Sequence, residues 1–257
     1  MAYRYLFEQM VRRELRQKYK GSALGVLWYL INPLVLMGAY YLMFGVIFPA
    51  PSEDDYPLFL LVGLVVWVFF SQAVLSAAPS LLDQGALVRK ARFPREAIPA
   101  SVVTVQLVTF LALIALLTPI TVAIRGTASL ALLALPVILA CLFAFVLGIA
   151  LAVSVLHAYF RDVAPILSAA LLPWFFLSPI FFDPSHLDRF SDETAALFVL
   201  EWVNPVAPFI VAVRDVIYGG ALPDARVLVY IVVAAVLAVG GGLALFRRMQ
   251  GELAVVV

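Results

Sequence analysis

The chain predicts an all-α integral membrane protein with six transmembrane helices and both termini in the cytoplasm. Hydrophobic residues fill 65% of its 257 positions and charged ones only 13%, which leaves little chain for a separate soluble domain. Six long stretches carry no charge: Gly21–Ser52, Tyr56–Leu82, Ala97–Ile124, Gly126–Phe160, Val163–Phe182 and Val227–Phe246. Each is long enough to cross a hydrocarbon core, which takes roughly 20 apolar residues at about 1.5 Å of rise per residue. The charges between the stretches are sorted by side. With the N-terminus inside, all 17 Lys and Arg except Arg125, Arg189, Arg214 and Arg226 fall on the cytoplasmic face, as short basic loops do. The opposite orientation would translocate the basic N-terminus and the Arg89–Arg95 cluster, and is rejected.

Residues 1–257 therefore read as a single transmembrane domain, and its parts follow in order. Tyr3, Leu6, Phe7, Met10, Val11 and Leu15 recur at three- and four-residue spacing, one stripe of a helix over residues 3–20. Arg12, Arg13, Arg16, Lys18 and Lys20 crowd its C-terminal half, so this helix is expected to lie in the headgroup region. The apolar run after Lys20 is far longer than a signal h-region of about 7–15 residues, so a cleavable signal is not expected. The first span carries Trp28 and Tyr29 near its cytoplasmic end, Tyr40, Tyr41 and Phe44 deeper, and Pro33, which removes a backbone donor and should bend the helix.

Beyond the second span, residues 80–95 mix Leu81, Leu82, Leu87 and Val88 with Asp83, Arg89, Lys90, Arg92 and Arg95, leading through Phe93-Pro94 into the third span. A short cytoplasmic helix along the membrane fits this segment. The fifth span holds Pro165, Pro173 and Pro179 around Trp174-Phe175-Phe176. Irregular backbone of that kind is tolerated where it packs on protein or lines a wet cavity. Residues 183–224 form the one long external segment, expected as short re-entrant helices dipping into the outer leaflet before the last span.

Several chemistries are excluded. The lysines are Lys18, Lys20 and Lys90, and no Gly-x-x-x-x-Gly-Lys-Ser/Thr loop occurs, so the chain cannot cradle nucleotide phosphates itself. It has no Gly-x-Ser-x-Gly elbow and no His-Glu-x-x-His zinc pair. His157 and His186 fall on opposite membrane faces in this topology, and Cys141 is the sole cysteine. No metal site and no catalytic residue are expected. The spans lack Asp, Glu, Lys and Arg, which argues against ion-coupled transport. A passive pore, a scaffold, or a transporter powered by another subunit remains. The aromatic rings of the spans suit either packing or a sugar-lined path, since ring faces stack against sugar C–H faces. Trp28, Tyr29, Tyr40, Tyr41, Phe44, Trp67, Trp174, Phe175 and Phe176 are the candidates for such a path.

The run from Val11 to Leu34 (VRRELRQKYKGSALGVLWYLINPL), the stretch Val88–Arg95, Tyr159-Phe160-Arg161-Asp162, and Asn204-Pro205 followed by Arg214-Asp215 resemble the transmembrane subunits of bacterial ABC exporters for O-antigen, capsule and teichoic-acid polymers. The resemblance covers essentially the whole chain. It implies a half-transporter in the plasma membrane: two copies form the pore, and two copies of a separate cytosolic ATPase bind ATP and Mg and drive it. It implies that the helix over residues 3–20 and the helix over residues 80–95 touch that ATPase, the latter through Leu87, Val88, Arg89, Lys90, Arg92, Phe93, Pro94 and Arg95. The cargo it implies is a glycan or polyol-phosphate polymer on a polyprenyl phosphate lipid, moved outward through the membrane lipids, with no nucleic acid involved. Arg12, Arg13, Arg16, Lys18 and Lys20 lie where its anionic head would arrive. Pro33 and Pro173 are the expected hinges when the two copies separate. Two other readings are an ABC permease for a drug or small lipid, and a non-transporting membrane scaffold.

Overall fold

The computed structural model describes residues 2–19, 27–47, 55–90, 94–183 and 202–253, all in helices and short connections. Helix α1 spans Ala2–Tyr19. Helix α2 covers Trp28–Tyr41 with Pro33 inside it, and widens into a π-helical turn over Leu42–Ile47. Helix α3 (Tyr56–Ala77) starts with Pro57 in its first turn, where the missing N–H costs nothing. Two short helices follow, α4 (Ser80–Asp83) and α5 (Gly85–Lys90). Helix α6 (Ala97–Arg125) ends on Gly126, whose φ of 68° is the left-handed C-cap that glycine adopts freely. A 3-10 turn over Leu130–Ala134 leads into α7 (Leu135–Tyr159). Then come α8 (Val163–Phe176), α9 (Ala207–Ile217) and α10 (Ala225–Met249). Asp224 caps α10 by accepting a hydrogen bond from the Arg226 N–H at 2.7 Å.

Among the described residues, four helical segments are long and apolar enough to cross a membrane: Tyr56–Ala77, Ala97–Arg125, Leu130–Tyr159 and Ala225–Met249. Two shorter apolar stretches, Ile31–Ile47 and Val163–Phe176, lie in the first and fifth uncharged runs. The chain is thus a multi-pass membrane protein.

Helix α3 is the axis of the bundle. Phe59, Leu60, Val62, Leu64, Val66, Phe70, Ala73 and Val74 are buried on all its sides, and α2, α6, α7, α8 and α9 pack around it. Helices α7 and α10 form the most extensive pair. They meet backbone to backbone, because a Cβ on Gly148 would fall onto Ala238 and one on Gly242 onto the Gly148 carbonyl. Helices surrounded by lipid gain no hydrophobic drive from meeting each other, so small residues that permit close contact decide where they cross.

A second, smaller apolar cluster closes the basic end of the bundle, where Arg89, Arg95, Arg161, Arg247 and Arg248 lie. Met10 of α1, Leu81, Val88, Ile98, Val155, Phe246 and Leu253 meet there. The expected stripe of α1 therefore packs partly on protein, through Leu6 and Met10, and α1 runs along α6. Arg95 donates to the Gln250 carbonyl and Tyr159 to that of Met249, pinning the end of α10 to this cluster.

Candidate functional site

The helical hydrogen-bond ladder of α8 stops at Phe176, thirteen residues after Val163, and the chain continues irregularly from Leu177 to Asp183. Pro173 and Pro179 account for the break, since neither can donate to a helical ladder. A carbonyl freed in this way and buried must find a donor from protein. Three side chains supply them. Asn204 Nδ2 donates to the Leu177 carbonyl at 3.2 Å and to Ser178 Oγ at 2.9 Å. Arg214 donates to the Pro179 carbonyl at 2.8 Å and to the Ile180 carbonyl at 3.1 Å. Tyr56 Oη donates to the Phe181 carbonyl at 2.9 Å.

Asn204 also holds α8 itself, because its Oδ1 accepts from the Trp174 indole N–H at 2.8 Å and from Val206 N at 3.1 Å. Every hydrogen-bonding group of the amide is thereby used in joining α8 to the start of α9. Arg214 is only 4% exposed. Its guanidinium lies over the Phe59 ring, with Cζ 3.6 Å from the centroid, where the negative face of the ring offsets part of the buried charge. Its neighbour Asp215 has its carboxyl pushed up to about 6, by burial first and then by Asp183, with Arg214 opposing the rise.

Helix α9 was expected to dip into the outer leaflet. All of it except Val211 and Asp215 is buried, against α3, α7 and α10. Its far end is held by Thr127 Oγ1 donating to the Ile217 carbonyl at 3.2 Å and by Ser129 Oγ donating to the Gly220 carbonyl at 2.6 Å. Residues 184–201, the rest of the external segment, lie outside the described residues.

Aromatic rings surround this break. Tyr40 stands 5.0 Å from Phe181 and 5.4 Å from Phe175, Phe44 stands 4.9 Å from Phe181, and Trp67 stands 5.6 Å from Phe175. Trp174 packs between Trp67 and Phe70. Of the rings expected to line a path, Trp67 and Phe175 are buried within the chain, so there they pack helices together. Tyr40, Phe44 and Trp174 are half-buried, and Trp28, Tyr41 and Phe176 are exposed. The Tyr29 side chain lies outside the described residues. Pro33 is buried and Pro173 is exposed.

The expected ATPase-contact segment is two short helices broken at Gln84, rather than one. Val88 is 1% exposed and Leu87 half-buried, because both face the second core. Their side chains thus anchor the segment to the bundle. Arg89 and Pro94 are open to solvent, and Arg95 is half-buried. Arg92, Phe93 and the Lys90 side chain lie outside the described residues. Of the basic residues near the N-terminus, Arg12, Arg13 and Arg16 are exposed, with Arg12 Nη2 2.6 Å from Glu8 Oε1. The Lys18 side chain and Lys20 lie outside the described residues.

The sequence alone places Arg214 among the external charges and gives Asn204 and Arg214 a part only in the family resemblance, with no role for Tyr56. One signal was available: Arg214 shares a helical stripe with Ile210 and Ile217, four residues before it and three after. An arginine on an apolar stripe points into protein.

The ABC-2 type transporter family profile matches residues 5–218. The O-antigen export system permease protein RfbA of Myxococcus xanthus is 30% identical over 252 residues, spanning 98% of this chain and 95% of that protein. An O-antigen export system permease protein RfbA of Klebsiella pneumoniae is 27% identical over 254 residues, spanning 96% of this chain and 93% of its own length. With the profile covering most of the chain and a relative aligned end to end, the chain belongs to the ABC-2 type transporter family.

Proposed function

We propose that this chain is the membrane subunit of an ATP-driven exporter that carries a lipid-linked polysaccharide outward across a bacterial plasma membrane. The observation that carries this reading is the end-to-end similarity to two O-antigen export permeases. A teichoic-acid polymer on a similar lipid is the neighbouring cargo class. In this reading residues 1–257 form one permease domain with six spans, both termini inside, and α9 in a re-entrant external region over residues 183–224. The basic end of the bundle is then cytoplasmic, in keeping with the retention of basic loops.

Two copies would form the pore, and two copies of a cytosolic ABC ATPase would bind ATP and Mg. Arg89 on α5 and Pro94 shortly before α6, both open to solvent, are the surface offered to that ATPase. Arg12, Arg13 and Arg16 on α1 would attract the phosphate of the carrier lipid. Tyr41 and Phe176, exposed on α2 and α8, are the rings available to a passing sugar once two copies face each other.

Co-expression with the P-loop ATPase encoded nearest to this chain tests the reading. The two should co-purify, and the complex in vesicles should hydrolyse ATP faster when lipid-linked polymer is added. A complex that forms but ignores polymer, or a chain that hydrolyses ATP alone, would overturn it.

A further inference from the structure

At the basic end, α1, α3, α4 and α6 line a cavity of about 460 Å³ whose wall is part polar and part apolar. Arg13 and Glu14 reach it from α1, Ser76 from α3, Asp83 from α4, Gln84 from the α4–α5 junction and Gln106 from α6. Gln106 lies in a membrane-length helix and is only 7% exposed. Its Nε2 donates to Ser76 Oγ at 3.1 Å. Gln84 Nε2 donates to Glu14 Oε1 at 2.8 Å, tying α1 to the α4–α5 segment. A glutamine deep in an apolar helix carries a desolvation cost that only polar company offsets, and polar groups so placed mark substrate paths.

The lining selects the ligand. One guanidinium faces two carboxylates, Glu14 and Asp83, so the wall does not favour a bare phosphate. Burial raises the Glu14 carboxyl, Arg13 opposes the rise and Asp83 adds to it. Carboxylates accept, amides do both, and a sugar hydroxyl both donates and accepts, so a ring of hydroxyls matches the polar side of the wall, while Val102 and Val105 offer apolar surface to the C–H faces of the ring. The volume falls within the range of about 300–1,000 Å³ that small-molecule sites occupy, and it suits a monosaccharide or disaccharide.

We propose that this cavity receives a sugar of the exported glycan, with Glu14, Asp83, Gln84 and Gln106 taking its hydroxyls. The inference rests on the chain being a glycan exporter, and it names where the cargo first meets protein. Asp83 and Gln84 belong to the segment offered to the ATPase, so an occupied cavity is reported to the motor through the helices that touch it.

The test uses the complete transporter with the single cysteine changed, Cys141→Ser, and a probe thiol added, Ser76→Cys. Inside-out vesicles are treated with a membrane-impermeant maleimide. They are prepared from cells that make the polymer and from cells whose first sugar transfer to the lipid is blocked. Labelling several-fold slower with polymer present, in membranes of a host rich in phosphatidylethanolamine and of a host whose membrane is mainly phosphatidylglycerol alike, supports the proposal. Protection that follows the phospholipid and ignores the polymer overturns it in favour of a lipid headgroup. Equal labelling with and without polymer, while ATP-driven export proceeds, overturns it and leaves the exporter reading standing. Absence of export in the polymer-making cells removes the exporter reading and the inference together. A thiol that never reacts means a closed cavity and also overturns it. As a second measurement, Asp83→Asn should raise several-fold the polymer concentration that half-stimulates ATP hydrolysis, and an unchanged value counts against the site.

Discussion

Gly63 lies directly under the guanidinium of Arg214, where a Cβ would come 2.7 Å from Nη2. An arginine tip at a surface would swing away from such a contact. This one is fixed by the carbonyls of Pro179 and Ile180 and by the Phe59 ring, and the Ile180 backbone closes the other side, 3.4 Å from the same Cβ. Gly63→Ala should therefore cost about 1–3 kcal/mol, as overpacking of a filled core does. Its thermal midpoint in detergent should fall, and a wild-type midpoint would show that the guanidinium can yield.

Arg214 itself is tested by keeping its charge and removing its fork. Arg214→Lys retains a cation but cannot reach two carbonyls in the same geometry. Each charge-assisted hydrogen bond lost should cost about 1.5–3 kcal/mol. The loss should appear locally, as faster proteolysis or hydrogen exchange over residues 177–183. Uniform destabilisation with normal protection of that segment would show that the arginine does not hold the broken end of α8.

The long spans were legible because absence of charge over a helix length is a one-dimensional signal. The uncharged run from Ala97 to Ile124 became a helix ending at Arg125, and the run from Val227 to Phe246 became part of α10. The end of α8 was less legible. The prolines announced irregular backbone, but the donors that satisfy it come from Tyr56 and Arg214, far away in sequence. Their pairing depends on α3 and α9 lying side by side. The burial of Val88 was hidden for a related reason: it points to a core assembled from Met10, Ile98 and Phe246, which come from other helices.

Three consecutive glycines of α10 should respond differently to the same change. Gly240 and Gly241 have open space where a Cβ would go, whereas Gly242 faces the Gly148 carbonyl. Gly240→Ala and Gly241→Ala should be neutral, or stabilising by up to about 1 kcal/mol through helix propensity. Gly242→Ala should force α7 and α10 apart and lower folded yield. Equal behaviour of all three would mean that the helices do not touch there.

Asp215 gives the molecule a pH response with a defined sign. Its carboxyl lies above its ordinary range, at about 6 against 3.8, so the folded state holds its proton more tightly than the unfolded one. The stability this contributes is fully present below about pH 3.8 and is lost as pH rises through 6. Asp215→Asn should flatten that part of a plot of thermal midpoint against pH. A slope unchanged by the substitution would place the titration elsewhere.

Pro173 stands in the last turn of α8, one turn before the segment held by Asn204 and Arg214. That segment is fixed to α9 and α3, so movement of α8 has to occur on the near side of the clamp. A proline there lowers the cost of bending, because the ladder already lacks one donor. Under the exporter reading, opening between two copies would use this bend together with the one at Pro33. Pro173→Ala should leave the protein in the membrane at normal abundance, with the Trp174–Asn204 hydrogen bond intact, and slow ATP-driven export. Export at the wild-type rate would show that α8 moves without bending at this point.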